Sequence, residues 1–323
     1  MQHQPKVSVI IPIYHSEPYL ERCCRSLFSQ TFDSLEYLFI IDGPSDTAEQ
    51  LIIDASEDYP HRKDQIRVIR HSQNLGTSQS RQEGHDLSTG EFLYHCDSDD
   101  WLESEALGVL YTEAQETSAD LVFFDYKRHY EDHGQEALYS SSYILKNEIN
   151  TIDGTLCNKL IRKSLIDEHT LRFPQGINWG EDLCMSVLCQ IFAEKISYIP
   201  RVFYHYCMRQ QSYTGQISRD KYMQLVTCPG YIETELEKRG VAEDYSFLIM
   251  RMKFEVKEYL LINRFLRDIS FWKTLYPECH EYIFQYPSVP RYLKCISWLI
   301  LHHMSWSAQF LLFLRDRINQ IRY

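Results

Sequence analysis

An α/β fold built on a doubly wound, mostly parallel sheet, with a helical appendage at the C-terminal end, is predicted by three features of the chain. Short β-branched or aromatic runs alternate with amphipathic helical patterns through the first part. Two of these runs, Leu35 to Ile41 and Phe92 to Cys96, empty directly into acidic turns, where open α/β sheets place their ligands. Beyond about Ser218 the turn signals thin out and long, aromatic-rich helical patterns take over. Alternating strands and helices favour parallel pairing.

Val7 to Ile13 is a β-branched run that ends in Pro12 and Tyr14, and a helical pattern from Pro18 to Gln30 follows with Leu20, Cys23, Cys24, Leu27 and Phe28 on one face. The second strand, Leu35 to Ile41, stops at Asp42-Gly43-Pro44-Ser45-Asp46, where Ser45 or Asp46 can cap a helix running to Glu57. A strand around Ile66 to Ile69, a helix from Ser78 to Leu87 and the strand feeding Asp97 complete the alternation. A helix over Glu103 to Glu116 and a strand over Leu121 to Tyr126 come next. A polar stretch to about Asn150 reads as loops or antiparallel strands, and Ser197 to Met208 reads as a further strand. The expected organisation is a catalytic domain over residues 1–215 and a helical region over 216–323 that serves acceptor, oligomer or membrane-surface contact.

A chain of 323 residues with 44% hydrophobic and 14% aromatic content can bury a substantial core. A formal net charge of -12 argues against nucleic-acid binding, which rests on basic residues neutralising phosphates. A phosphate-bearing substrate therefore needs a metal and a few placed cations. The ten cysteines lack paired metal-ligand spacings and read as reduced, buried thiols, which fits a cytoplasmic location. The opening MQHQPKVSVIIPIY has no charged-then-apolar signal organisation.

Asp97, Asp99 and Asp100 form the acidic cluster after the fourth strand. Hard oxygen donors at that place suit Mg²⁺ or Mn²⁺, which keep a few carboxylates and complete their shell with water and substrate phosphates. A solvated turn capping the next helix is the plainer alternative. Arg81 lies in a helical stretch, where a surface ion pair competes with a phosphate contact. Glu181 and Asp182 open a helix whose apolar stripe is Cys184, Val187, Leu188 and Ile191. Asp182 falls opposite that stripe, facing a cleft or solvent, although both acids also suit the helix dipole.

In order along the chain, VSVIIPIYHSEPYL, FIIDGPSD, NLGTSQSRQEGHDLSTGEFLYHCDSDDW, CNKLIRKSLI and WGEDLCMSVL resemble the motifs of the family 2 glycosyltransferases over roughly Val7 to Thr214. The resemblance implies a GT-A fold and an inverting, metal-dependent transferase of the hexosyltransferase class. Such an enzyme moves a sugar from a nucleotide-sugar, a UDP-sugar by this reading, to a saccharide or lipid-linked acceptor in surface-polysaccharide assembly. It places Pro12, Tyr14, Glu17 and Asp42 around the uracil, which a carboxylate can bind through the ring N–H and a Tyr ring can stack upon. It also implies Arg81 and Arg209 at the pyrophosphate and Asp97 at the ribose and metal. Asp99 or Asp100 becomes the direct metal ligand, and Asp182 the general base, with Glu181 as second choice. Asn158, Lys159, Tyr206 and Ser212 are weaker site candidates, and His205 reads as structural. The chain departs from the motifs at His15, Ile41 and Pro44.

A nucleotidyltransferase of related fold would need a Gly-rich, basic loop after the first strand, and IPIYHSEPYL offers neither. A sugar-nucleotide-binding protein without activity would keep the fold and lose the base and metal. The stretch Tyr292 to Phe313 is too often interrupted by polar residues for a membrane span. Its aromatic, basic character allows contact with the inner face of a cell membrane. Packing within the protein or against a second subunit of a homo-oligomer is the expectation preferred from sequence.

Overall fold

The computed structural model describes residues 4–45, 47–142, 153–209, 217–285 and 289–322, so the caps and contacts expected at Asp46 and Ser212 lie outside the described residues. The chain divides into two compact units, Met1–Gln216 and Ile217–Tyr323. The first unit runs β1 (Val7–Ile13), α1 (Glu17–Phe28), β2 (Leu35–Ile41), α2 (Ala48–Glu57), β3 (Ile66–Arg70), α3 (Thr77–Leu87), β4 (Phe92–His95) and β5 (Trp101–Leu102). It continues with α4 (Ala106–Thr117), β6 (Leu121–Tyr130), β7 (Gln135–Tyr139), β8 (Lys159–Arg162), α5 (Lys163–Glu168), α6 (Glu181–Phe192) and β9 (Ile196–Met208). The second unit is helical: α7 (Arg219–Glu237), α8 (Ser246–Ile262), α9 (Ile269–Thr274), α10 (Arg291–Leu301) and α11 (Ser305–Arg322), with short 3₁₀ turns between them.

One mixed sheet orders its strands β3-β2-β1-β4-β8-β6-β9-β5, with β7 beside β6. The parallel half, β3-β2-β1-β4, is the part whose alternation was legible, and β2 is buried along its whole length because helices cover both faces. In the other half β8 runs antiparallel to β4 and β6, while β9 runs parallel to β6 through an irregular register at Asp125. The helix expected from Glu103 begins at Ala106, because Trp101 and Leu102 pair with β9 as β5. A two-residue strand has no periodicity to read.

Two features of β1, the strand that leads to Tyr14, follow from its neighbours. Pro12 lies beyond the last β1–β4 pair, Ile10↔His95, so its missing N–H costs no ladder bond on that side. On α3, a Cβ at Gly84 would come within 2.4 Å of Ile10 Cγ2, a β-branched side chain fully buried in β1. Gly84→Ala should therefore cost about 1–3 kcal/mol by overpacking, although Ala is the better helix former. Urea unfolding checks this, and unchanged or raised stability would show that α3 can lift from the sheet without loss.

Candidate active site

The C-terminal ends of β1, β2 and β4 converge on one edge of the sheet. The Asp42 N–H donates to Ile13 O at 2.8 Å, which sets the residue after β2 beside the end of β1, next to the exposed ring of Tyr14. His15 then adopts a positive φ of 52°, and Ser16 Oγ lies 2.6 Å from Ser98 Oγ, tying the β1 turn to the acidic loop after β4. The expected base-pocket and acid-cluster residues thus flank the end of one central strand.

Asp42 is buried and already holds three donors. Its Oδ1 accepts from the Leu75 N–H at 2.7 Å and pairs with His71 Nδ1 at 2.8 Å, and its Oδ2 accepts from the Gly76 N–H at 2.8 Å. A carboxylate offers about four lone-pair sites, so capacity for one further donor remains. The far nitrogen of His71 meets Glu83 at 2.5 Å. Burial lowers the His71 pKa, but the two carboxylates outweigh it and raise the value overall. Glu17 accepts from Ser45 Oγ at 2.8 Å, and Ser45 Oγ in turn accepts from the Ala48 N–H at the start of α2.

The three aspartates after β4 part company. Asp100 is 1% exposed, and both of its oxygens face inward, accepting from Tyr204 Oη at 2.5 Å and the Cys207 N–H at 2.7 Å. Asp99 keeps a side chain 27% exposed and pairs with Arg209, whose guanidinium sits 3.5 Å over the Tyr19 ring. Burial and the adjacent Asp97 push Asp99 up to about 6 despite Arg209, and burial followed by its neighbours Asp99 and Asp97 pushes Asp100 well above the carboxylate range. Crowded negative charge of this kind suits a divalent cation with oxygen ligands. Among the described residues no three His, Cys, Asp or Glu side chains form a ready-made cage.

Arg81 is buried on α3 and joins two parts of the site. Its Nη2 donates to Asp97 Oδ1 at 2.8 Å and its Nη1 to Glu181 Oε1 at 2.6 Å, so the surface ion pair considered from sequence is a buried bridge instead. Glu181 is buried with it, at the N-terminus of α6, behind Gly180 with φ of 105°. Asp182, the next residue, is partly buried and accepts from its neighbour Leu183 N–H at 2.8 Å. Burial raises the pKa of both acids, Arg81 opposes it, and for Glu181 the adjacent Asp182 adds to the rise.

Asn158 and Lys159 are fully buried and hydrogen-bonded within the fold. Lys159 is fully buried at the start of β8, donating to Ser186 Oγ on α6 at 2.6 Å and to Thr155 O, while Asn158 binds Ser141 and Asp153. His205 is structural as expected, stacked on Trp101 at 4.8 Å and bonded to Glu103 at 2.8 Å. Tyr206 packs against the main core cluster. Sequence reasoning missed Arg22, which donates to Asp99 O at 2.9 Å from 4.1 Å over the Trp101 ring. It also missed Tyr204 and His71. Their bonds to Asp99, Asp100 and Asp42 span 29 or more residues, and no local spacing marks such a pairing.

Comparison with known proteins finds relatives in sequence and in fold. The chain is 28% identical to the putative glycosyltransferase EpsH of Bacillus subtilis, over 84% of this chain and 78% of that protein. The structure of S. aureus TarS 1-349 in complex with UDP-GlcNAc superposes with a TM-score of 0.68 at 19% identity, covering 98% of this chain and 92% of that one. The mannosyltransferase PcManGT from Pyrobaculum calidifontis, in complex with GDP-Man and Mn²⁺, superposes with a TM-score of 0.53 at 13% identity over 97% and 86% of the two chains. The GT-A architecture is shared with these structures. A profile of glycosyl transferase family 2 matches residues 8–170, half of the chain, and the chain belongs to that family of glycosyltransferases.

Proposed function

We propose that the chain is a metal-dependent, inverting transferase that moves a hexosyl group from a UDP-sugar to a saccharide or lipid-linked saccharide acceptor in surface-polysaccharide assembly, on the cytoplasmic side of the cell membrane. The observation that carries this reading is the Arg81 bridge. It links Asp97, at the donor end of the sheet, to the helix that presents Asp182, so the acids for leaving-group charge and for proton removal belong to one connected structure. All of these residues lie in the first unit, where we place the catalytic site. The UDP-GlcNAc bound by TarS and the GDP-Man and Mn²⁺ bound by PcManGT support the donor class and the cation.

Tyr14 stacks on the uracil, and Asp42 takes the ring N–H with its remaining capacity while ordering the Leu75–Gly76 turn. Pro12 and Glu17 border this pocket. Asp99, with Asp97 beside it, would hold Mg²⁺ or Mn²⁺, and Asp100 fixes the loop from inside rather than binding the ion. The metal supplies Lewis-acid neutralisation of the departing diphosphate. Arg209 leaves Asp99 for the pyrophosphate when donor binds. Arg81 has both terminal nitrogens committed, so we assign it to positioning rather than to phosphate. Asp182 accepts the acceptor hydroxyl proton as the oxygen attacks the anomeric carbon opposite the leaving group. One carboxylate suffices for that single displacement.

Calorimetric titration tests the donor side. UDP should bind at least about tenfold more tightly with Mn²⁺ than with excess chelator, and Asp99→Ala should remove most of that difference. GDP and CDP should bind more weakly than UDP. Equal UDP affinity with and without metal would overturn the metal assignment, and equal affinity for the three nucleotides would overturn the uracil pocket.

A further inference from the structure

We infer that the outer face of α11 in the helical unit is a docking surface for anionic lipid, lying in the membrane interface without crossing it. No helix among the described residues is long and apolar enough to span a bilayer. Yet α11 carries two apolar faces. Ala308 and Leu312 are fully buried and serve as its packing side. On the opposite side Trp306, Phe310 and Phe313 are 80%, 52% and 51% exposed, and Leu314 and Ile318 are exposed with them. The spacing i, i+4, i+7, i+8 and i+12 draws these side chains into one stripe, as wide as an interfacial helix buries in a headgroup layer. The nearby helix α10 exposes Tyr292 and Trp298, both amphipathic aromatics of the kind that settle at the boundary of water and hydrocarbon.

Charge selects the occupant. Over residues 291–323 the chain has Arg291, Lys294, Arg315, Arg317 and Arg322 against Asp316 as the one acid, within a protein of net charge -12. Asp316 is neutralised from inside the unit, with Arg267 at 2.9 and 3.2 Å and Arg315 at 3.2 Å. Arg291 and Arg317 remain exposed. An aromatic stripe bordered by cations complements a negatively charged bilayer surface, whereas a second copy of this acidic chain would have to bring its own anionic patch against it. The inference stands independently of the donor and metal assignments.

Flotation of the full-length protein with vesicles tests it. The protein should float with phosphatidylcholine vesicles that contain phosphatidylglycerol, float poorly with phosphatidylcholine alone, and lose binding as salt rises. Replacing Trp306, Phe310 and Phe313 together with Ser should lower the partition coefficient by more than about tenfold. Reversing Arg291 and Arg317 to Glu should do likewise, roughly fivefold or more for each charge. Because all five side chains are exposed, the melting temperature of both variants should stay near that of the wild type. Equal flotation with both vesicle types, or flotation that survives both sets of substitutions, would overturn the proposal. So would a wild-type dimer in sedimentation that the Ser variant dissociates while neither protein binds vesicles, because the stripe would then be covered by a second copy.

Discussion

Asp182→Asn should bind UDP and metal as the wild type does and transfer sugar about 10²- to 10⁴-fold more slowly per folded molecule. The amide keeps the shape of the side chain and can still accept from the Leu183 N–H, the 2.8 Å bond that holds Asp182 at the helix start. What it loses is the ability to take a proton. Burial raises the pKa of Asp182, so the acid limb of the wild-type rate profile should be set by a value higher than that of an ordinary aspartate. Activity should fall as pH drops through that value, because only the deprotonated form is a base, and the residual activity of the variant should lack the limb. Glu181→Gln is the matched control. Glu181 faces Arg81 at 2.6 Å inside the fold, so its loss should be read mainly in the melting temperature. Should Glu181→Gln alone abolish transfer while Asp182→Asn keeps it, the base is Glu181, and the buried bridge is the catalytic centre itself.

What could be read in advance was what local pattern encodes. The parallel strands β1 to β4 are β-branched or aromatic runs closed by turns, and the burial of β2 along its whole length follows from its unbroken apolar sequence. The buried stripe of α1, Leu20, Cys23, Cys24, Leu27 and Phe28, matches its helical period. The strands of the mixed half were harder, because β8 is only four residues long and β5 only two, and their partners lie far away in sequence. Candidate residues were legible as types and places, but their partners were not. Nothing near Asp100 in sequence announces that Tyr204 will turn it inward, which leaves it buried while the Asp99 side chain stays partly exposed. Nothing near Lys159 announces Ser186, its partner on the helix that carries Asp182. Membrane-surface contact through the aromatics of the stretch that holds α11 was open from sequence, beside packing within the protein. Its apolar residues were visible, but which of its two apolar faces would be buried depends on packing against other helices.

Arg81→Met should produce the largest loss of stability of any single substitution in the site, about 3–5 kcal/mol, because it leaves the buried carboxylate of Glu181 without its cation and takes from Asp97 the same partner. Thermal and urea unfolding measure the cost. A loss of that size lowers activity whatever Arg81 does, so the informative comparison is with Arg81→Met paired with Glu181→Met. Removing both buried charges replaces an ion pair with apolar contact and should restore most of the stability. If Arg81 acts by holding α6 and the Asp97 loop in register, the stable double variant should bind UDP within a few-fold of wild type and still transfer slowly, as a fall in kcat with little change in donor KM. Arg81→Lys should rescue only part of this, since a point charge cannot fork between two carboxylates as the guanidinium does. If Arg81 instead meets the pyrophosphate, the double variant should lose donor affinity in proportion to its loss of activity, and the lysine should recover much of both. A kcat effect separated from donor binding identifies the bridge as the link between the two ends of the site.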